Sequence, residues 1–351
     1  MKTKILKINP KKIDLTKIKI AAEEMKKGNL VAFPTETVYG LGANALNEQA
    51  IAKIFQAKGR PFNDPLIVHI ADMKELYRLS KQVPPVALKL AKVFWPGPLT
   101  LVLKKSELVL DIITAGLDTV AIRMPADNVA LSLIRVAQTP IVAPSANLFG
   151  RTSPTNAQHV TDDLGGKIEM IIDGGKTKVG VESTVLDVTV KPVQVLRAGG
   201  VSVEQLREVI GQVKIDEELE RGFRSPGMLN SHYSPRARLI LVEEKGKAQV
   251  GKVFKLASKY KAQGFKVGIM AKEENQSKYN GFQVKVIGKG SELKTCAANL
   301  FAVLRSFDRE GFEIIITEGL KEHGLGLAIM ERLRKASAPK INLKFDRDEG
   351  I

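Results

Sequence analysis

From residue 4 to about residue 210, short apolar runs alternate with amphipathic stretches, the pattern of a layered α/β structure in which each element buries one face. Runs rich in Val, Ile and Leu predict strands at Leu30 to Phe33, Leu66 to Ile70, Leu99 to Leu103, Val120 to Met124, Ile141 to Ala143, Met170 to Ile172, Thr184 to Val188 and Val193 to Leu196. Apolar positions three and four apart predict helices over Asp14 to Lys27, Glu48 to Lys58, Pro85 to Phe94, Asn128 to Ala137 and Val203 to Ile210. Gly28 and Gly211 stand where C-terminal caps belong. Eight strands against five helices exceed a strict βαβ alternation. The expectation is a large twisted mixed sheet with flanking helices, partly antiparallel.

The pattern breaks over 211–237. An acidic run, Asp216, Glu217, Glu218 and Glu220, gives way to RGFRSPGMLNSHYSPRAR, polar and punctuated by Pro226, Gly227 and Pro235. This reads as a linker, long enough and rich enough in Arg, His and Tyr to be an ordered arm over a site. Beyond it the alternation is cleaner: strand Leu239 to Val242, helix Ala248 to Lys261, strands Val267 to Met270 and Val284 to Ile287, helix Leu293 to Phe307, strand Glu313 to Thr317 and helix Leu325 to Lys335. The expected organisation is an α/β domain over 1–210, a linker arm over 211–237 and a small Rossmann-like α/β domain over 238–351.

Composition narrows the chemistry. With 351 residues, 44% of them hydrophobic, there is enough apolar material for a core in each domain. No apolar run approaches the eighteen or so residues of a membrane span, and MKTKILKINPKK offers charge without an apolar leader, so a soluble cytoplasmic protein is expected. The single cysteine, Cys296, excludes an intramolecular disulfide framework and a Cys-based zinc site. No resident metal is expected; a metal, if present, would be oxygen-bound and arrive with a substrate. The net charge of +16 is uneven. Residues 1–100 carry 17 Lys and Arg against 8 Asp and Glu, and residues 251–300 carry 10 against 3. Such blocks attract anions, whether nucleotides, RNA or acidic partners, although a Lys-rich surface also serves solubility alone.

Standard phosphate motifs are poorly matched. Gly40-Leu41-Gly42-Ala43-Asn44-Ala45 fits a degenerate dinucleotide pattern, yet helical spacing resumes only near Glu48. Gly175-Lys176-Thr177 lacks the glycine five positions earlier that a P-loop needs, Met170 standing there instead. What remains is a set of polar clusters at the ends of predicted strands and helices, where α/β folds place their chemistry. Pro34-Thr35-Glu36-Thr37 follows a strand. Lys58-Gly59-Arg60 ends a helix in two cations able to hold a polyphosphate, or simply in a favourable helix-end dipole. Ser145-Ala146-Asn147 closes a strand in a turn of compact hydrogen-bonding groups. Arg123 lies in an otherwise apolar strand, where a charge without a partner is costly, and Arg197 ends another. His69 closes the run Leu66 to Val68 and reads equally as a core histidine or a ligand. For Glu36 the residues leave both a base and a counter-ion open.

Taken in order, FPTETVYGLGANA (33–45), KGRPFNDPLIVHI (58–70), FWPGPLTLVL (94–103), VAIRMPAD (120–127), PIVAPSANLFGRTSPT (140–155) and ESTVLDV (182–188) resemble the blocks of the YrdC-like domain family. The linker SPGMLNSHYSP (225–235) and the appended domain resemble the two-domain form of that family, which makes threonylcarbamoyl-AMP. One departure is Leu229 and Asn230, where the family tends to have a basic residue and an aromatic. The resemblance implies an enzyme that joins L-threonine, bicarbonate and ATP into threonylcarbamoyl-AMP and pyrophosphate, with Mg²⁺ carried by the nucleotide. It further implies a separate transferase that moves the group onto a tRNA adenosine, and a basic concave surface on which direct tRNA binding is an open question. An RNA-binding module without adenylate chemistry is the alternative.

Carried over residue by residue, the resemblance gives Lys58, Arg60, Ser145 and Asn147 to the phosphates and the reacting carbamate. It gives Thr35, His69, Arg123, Ala143 and Ser183 to threonine, with Arg123 as carboxylate clamp. Thr119, Ser153, Arg197 and Tyr233 fall on the nucleotide side with Lys58 and Ser145, Tyr233 reaching over from the linker.

Overall fold

The structure, a computed structural model, describes residues 2–216 and 233–338. The N-terminal part contains β1 (Lys4–Lys7), α1 (Leu15–Lys26), β2 (Val31–Phe33), β3 (Gly40–Asn44), α2 (Glu48–Lys58), β4 (Ile67–His69), α3 (Met73–Leu79) and α4 (Pro85–Phe94). It continues with β5 (Leu99–Lys104), α5 (Asp111–Thr114), β6 (Thr119–Arg123), α6 (Asn128–Ala137), β7 (Ile141–Val142), α7 (Ala157–Leu164), β8 (Met170–Asp173), β9 (Thr184–Asp187), β10 (Gln194–Arg197), α8 (Val203–Ile210) and β11 (Lys214–Ile215). Among the described residues these strands form one eleven-stranded sheet in the order β1-β8-β2-β3-β7-β4-β6-β5-β9-β10-β11. It is mixed: β4 and β6 run parallel, while β7 meets both β3 and β4 antiparallel.

The large mixed sheet with flanking helices is the expected architecture, with elements added. The degenerate dinucleotide pattern at 40–45 is β3, antiparallel to β2, and no helix opens inside it. Gly42 is there for packing: a Cβ would stand 2.6 Å from Met25 Cε and 2.8 Å from the Phe33 ring. With three glycine or alanine positions in five, β3 lacks the branched side chains that advertise a strand. β11 pairs with β10, so the sheet extends past residue 210. Residues 217–232, most of the linker and with it Leu229 and Asn230, lie outside the described residues.

Apolar faces close both sides of the sheet. α1 and α6 bury Ile18, Met25, Val129 and Leu133 against Phe33 and Ile141, while α2, α4 and α8 bury Ile54, Leu90 and Leu206 against Leu66, Leu101 and Val195. The C-terminal part holds β12 (Arg238–Val242), α9 (Gly246–Ala262), β13 (Val267–Lys272), a 3₁₀ turn (Glu273–Lys278), β14 (Gln283–Gly288), α10 (Leu293–Arg309), β15 (Ile314–Glu318) and α11 (Leu325–Ser337). Its four strands are all parallel, in the order β12-β15-β13-β14. The two parts share a core, in which Val38, Val181 and Ala198 pack with Tyr233, Phe301, Ile329 and Leu333. No helix among the described residues is long and apolar enough to cross a membrane.

Candidate active site

A cleft of about 680 Å³ lies over the middle of the large sheet, a volume suited to a nucleotide with a small co-substrate. The central strands and the loops after them supply its lining. Parallel register sets His69, at the end of β4, beside Arg123, at the end of β6, so both leave the sheet on one face. The antiparallel neighbour β7 leads through Ala143 into the turn at Ser145, which is tied to β3 by hydrogen bonds from Leu41 N to Pro144 O and from Ala146 N to Tyr39 O, each 2.8 Å.

Of the thirteen residues marked in the sequence, ten line this cleft. Thr35, His69, Arg123, Ala143 and Ser183 do so, as do Thr119, Arg197, Tyr233, Arg60 and Ser145. Lys58, Asn147 and Ser153 do not line it. Lys58 Nζ instead donates to Ser145 O and Asn147 O, both at 2.5 Å, and so clamps the turn that presents Ser145. Its side chain is buried, and burial, reinforced by the Arg60 charge, pushes the ammonium well below its usual pKa. Asn147 donates to Leu148 O and Arg151 O at 2.8 and 2.9 Å, which braces the same turn. Ser153 Oγ is bonded to Glu182 at 2.5 Å.

α2 places the Lys58 and Arg60 pair. Asn47 caps its start by accepting from Ala50 N, and Gly59 ends it at φ 62, a left-handed turn that lets Arg60 leave the helix toward the cleft. Arg60 then pairs with Asp64 at 2.8 Å and donates to Pro65 O at 2.9 Å.

A second charged group forms the floor. Arg123 Nη2 meets Glu36 Oε1 at 2.8 Å with both side chains buried, yet neither Glu36 oxygen nor that Nη2 makes a well-aligned hydrogen bond among the described residues. Nε reaches Gly97 O at 3.3 Å. A buried guanidinium with unspent donors lining a cleft is suited to a second carboxylate. Beside it, burial and then the Arg123 charge hold the His69 ring down to about 3. His69 is therefore neutral and can donate or accept a hydrogen bond without titrating. The sign follows: the folded state disfavours the proton that the unfolded chain takes up near 6.5, so this group's contribution to stability is full above that value and falls away toward pH 3. Ring resonances of His69 should not titrate between about pH 5 and 8; a midpoint near 6.5 would contradict this.

Across the cleft, Arg197 donates to Ser183 O at 2.8 Å and to Ser183 Oγ at 3.2 Å, and Ser183 Oγ lies 2.7 Å from Thr100 Oγ1. Arg60, Arg197 and Tyr233 line the same cleft, and burial, with a smaller push from the Arg197 charge, lowers the Arg60 pKa. Thr35 Oγ1 donates to Val38 O at 2.7 Å, which shapes the loop after β2. The lining also includes Asp64, Glu182 and Lys335, none marked beforehand. Asp64 had a weak signal, four residues after Arg60; Lys335 had none, coming from the far end of the chain. Among the described residues no three His, Cys, Asp or Glu could hold a metal ion. The carboxylates lining the cleft are engaged, Asp64 by Arg60 and Glu182 by Ser153 and Arg332.

A family model described as "Telomere recombination" matches residues 23–199, and one described as "Threonylcarbamoyl-AMP synthase, C-terminal domain" matches 201–338. The threonylcarbamoyl-AMP synthase of Pyrococcus abyssi is 50% identical over 334 residues, covering 94% of this chain and 96% of that protein. That of Bacillus subtilis is 46% identical over 325 residues, covering 92% and 93%. The solved structure of P. abyssi Sua5 complexed with L-threonine has a TM-score of 0.90 at 49% identity, covering 95% of this chain and 98% of that one. By both family models, and by the length and closeness of these matches, the chain belongs to the threonylcarbamoyl-AMP synthase family in its two-domain form.

Proposed function

We propose that the chain is a threonylcarbamoyl-AMP synthase that makes its product and pyrophosphate from L-threonine, bicarbonate and ATP. One observation carries the reading: a single cleft gathers Arg123 with unspent donors, a neutral His69 and, near one another, Arg60 and Arg197. Arg123 takes the threonine carboxylate, with Thr35, His69, Ala143 and Ser183 around the amino acid. The amine attacks bicarbonate with loss of water and gives a carbamate. A carbamate oxygen then attacks the α-phosphorus in line and pyrophosphate leaves, which makes the enzyme a nucleotidyltransferase. No covalent enzyme intermediate is required; the residues contribute orientation and positive charge. Arg60 and Ser145 face the phosphates, and Lys58 and Asn147 hold the Ser145 turn behind them. Thr119, Arg197 and Tyr233 serve the nucleotide, and Ser153 supports that side through Glu182.

Mg²⁺ enters as a companion of ATP. No step is routed through it. The product, a mixed anhydride of carbamic and phosphoric acids, calls for an acceptor enzyme, and a transferase acting on a tRNA adenosine fits. The alternative of an RNA-binding module without this chemistry gains nothing from the cleft. The test is pyrophosphate release: it should require threonine and bicarbonate together, and turnover with ATP alone would count against the proposal.

A further inference from the structure

α11, at the end of the C-terminal part, lines the cleft with Lys335 and backs its wall with Arg332, which meets the lining residue Glu182. Arg332 is 1% exposed, and its three guanidinium nitrogens face different partners, Nη1 through an ion pair without a well-aligned hydrogen bond among the described residues. Nε donates to Glu182 Oε2 at 2.7 Å, Nη2 donates to Ala198 O at 3.0 Å, and Nη1 lies 2.9 Å from Glu331 Oε2. Its carbon stands 4.8 Å from the centre of the Tyr233 ring, so the in-plane donors and the π face of one group act together. Glu331 adds to the same joint by accepting from Ala198 N at 3.1 Å and from Lys335 at 2.9 Å.

These partners lead into the cleft. Glu182, Tyr233 and Lys335 line it, and Ala198 directly follows Arg197, which holds Ser183. Burial alone would raise the Glu182 carboxyl, but Arg332, Arg197 and Ser153 hold it down to about 2, so it is anionic and fixed in place. Without Arg332 it would be a buried charge facing the phosphate side, where a negative group is unwelcome.

A second interdomain arginine offers a comparison. Arg305 pairs with Asp163 at 2.6 Å and donates to Thr152 O at 2.5 Å. Neither Asp163 nor Thr152 lines the cleft. Arg305 thus joins the domains without touching the site's wall, whereas Arg332 joins them through it.

We propose that Arg332 is a positioning residue for the nucleotide half of the cleft, supplied by the C-terminal domain: it holds the Tyr233 ring and the Glu182 carboxylate where ATP meets them. The inference rests on the synthase reading for its substrate. The domain then acts on chemistry through a rigid joint, and the cleft meets its nucleotide already ordered.

The test uses the full chain with Arg332→Lys, Arg332→Ala and Arg305→Lys. Pyrophosphate release gives KM for ATP and for threonine, calorimetry gives Kd for ATP, and thermal unfolding reports stability. Lysine keeps the charge of Arg332 but loses the planar fork and the stacking, so KM and Kd for ATP should rise about tenfold while KM for threonine stays within about twofold. Arg305→Lys should lower the melting temperature and leave both KM values in place. The proposal fails if Arg332→Lys binds ATP as the unsubstituted chain does, or if both arginine variants raise both KM values in step, the mark of loosened docking. Should Arg332→Ala not fold, Arg332→Lys decides the matter. An unsubstituted chain that binds ATP yet releases no pyrophosphate with threonine and bicarbonate removes the synthase reading, and the Kd comparison still judges Arg332. A chain that binds no ATP removes both.

Discussion

Lys58→Ala and Arg60→Ala each lower pyrophosphate release by about 10²–10³-fold, the scale of losing one preorganised donor at a reacting group or the support that holds one in place. The two losses arise differently. Arg60 lines the cleft, and its removal takes a cation from the phosphates. Lys58 acts one layer back, where its ammonium is bonded to the carbonyls of Ser145 and Asn147. Removing it frees the Ser145 turn and takes the Lys58 donor from the buried Asn147 O, at a cost of about 1–3 kcal/mol, while Ser145 O still accepts from Asn147 N at 3.0 Å. The burial of Lys58 separates the two variants in stability. Lys58→Ala should show a lowered melting temperature as well as lost turnover, while Arg60→Ala, on a partly exposed loop, should lose turnover with a smaller change in stability. Wild-type rates in either variant, measured in the folded fraction, would remove the phosphate-side assignment.

Arg123→Ala raises KM for threonine by about 30-fold or more, the equivalent of about 2 kcal/mol or more for a charge-assisted hydrogen bond, and leaves KM for ATP within about threefold. The single substitution also leaves Glu36 buried without its ion-pair partner, which costs about 3–5 kcal/mol when one half of such a pair is removed. Combining it with Glu36→Gln separates the effects. The neutral amide should recover much of the stability, and the threonine defect should persist. If the double variant regains threonine affinity, Arg123 is a structural cation and the carboxylate clamp lies elsewhere. Glu36→Gln alone decides the question the sequence left open. A counter-ion shifts KM for threonine with little change in the pH profile, whereas a base would take the acid limb of kcat with it.

Local pattern was enough wherever one face of an element is apolar and its neighbours are polar. α1, α2, α4, α6 and α8 lie within a residue or so of their predicted spans, because spacing at three and four residues states which side is buried. β3 escaped because its glycines record contact with Met25 and Phe33, partners remote from a five-residue window. α7 escaped for a different reason: its eight residues, AQHVTDDL, are few and mostly polar, so that only Ala157, Val160 and Leu164 mark the buried face.

The chain alone determined which residue types stand at the ends of strands, and through block resemblance which of them belong to one family of sites. It carried the mixed sheet, the appended parallel domain and ten of the cleft-lining positions. Tertiary structure decided direction. Only the fold shows that the Lys58 ammonium faces backbone carbonyls while Arg60 faces the cleft, since two residues either side of a left-handed glycine can point into different layers. Only the fold brings Arg332 to Glu182 across 150 positions and sets Lys335 in the lining of the same cleft. Hydrophobic periodicity is a property of neighbours along the chain, and it reports burial. The pairing of charges across domains is fixed by packing of whole elements, and no spacing along the sequence encodes it.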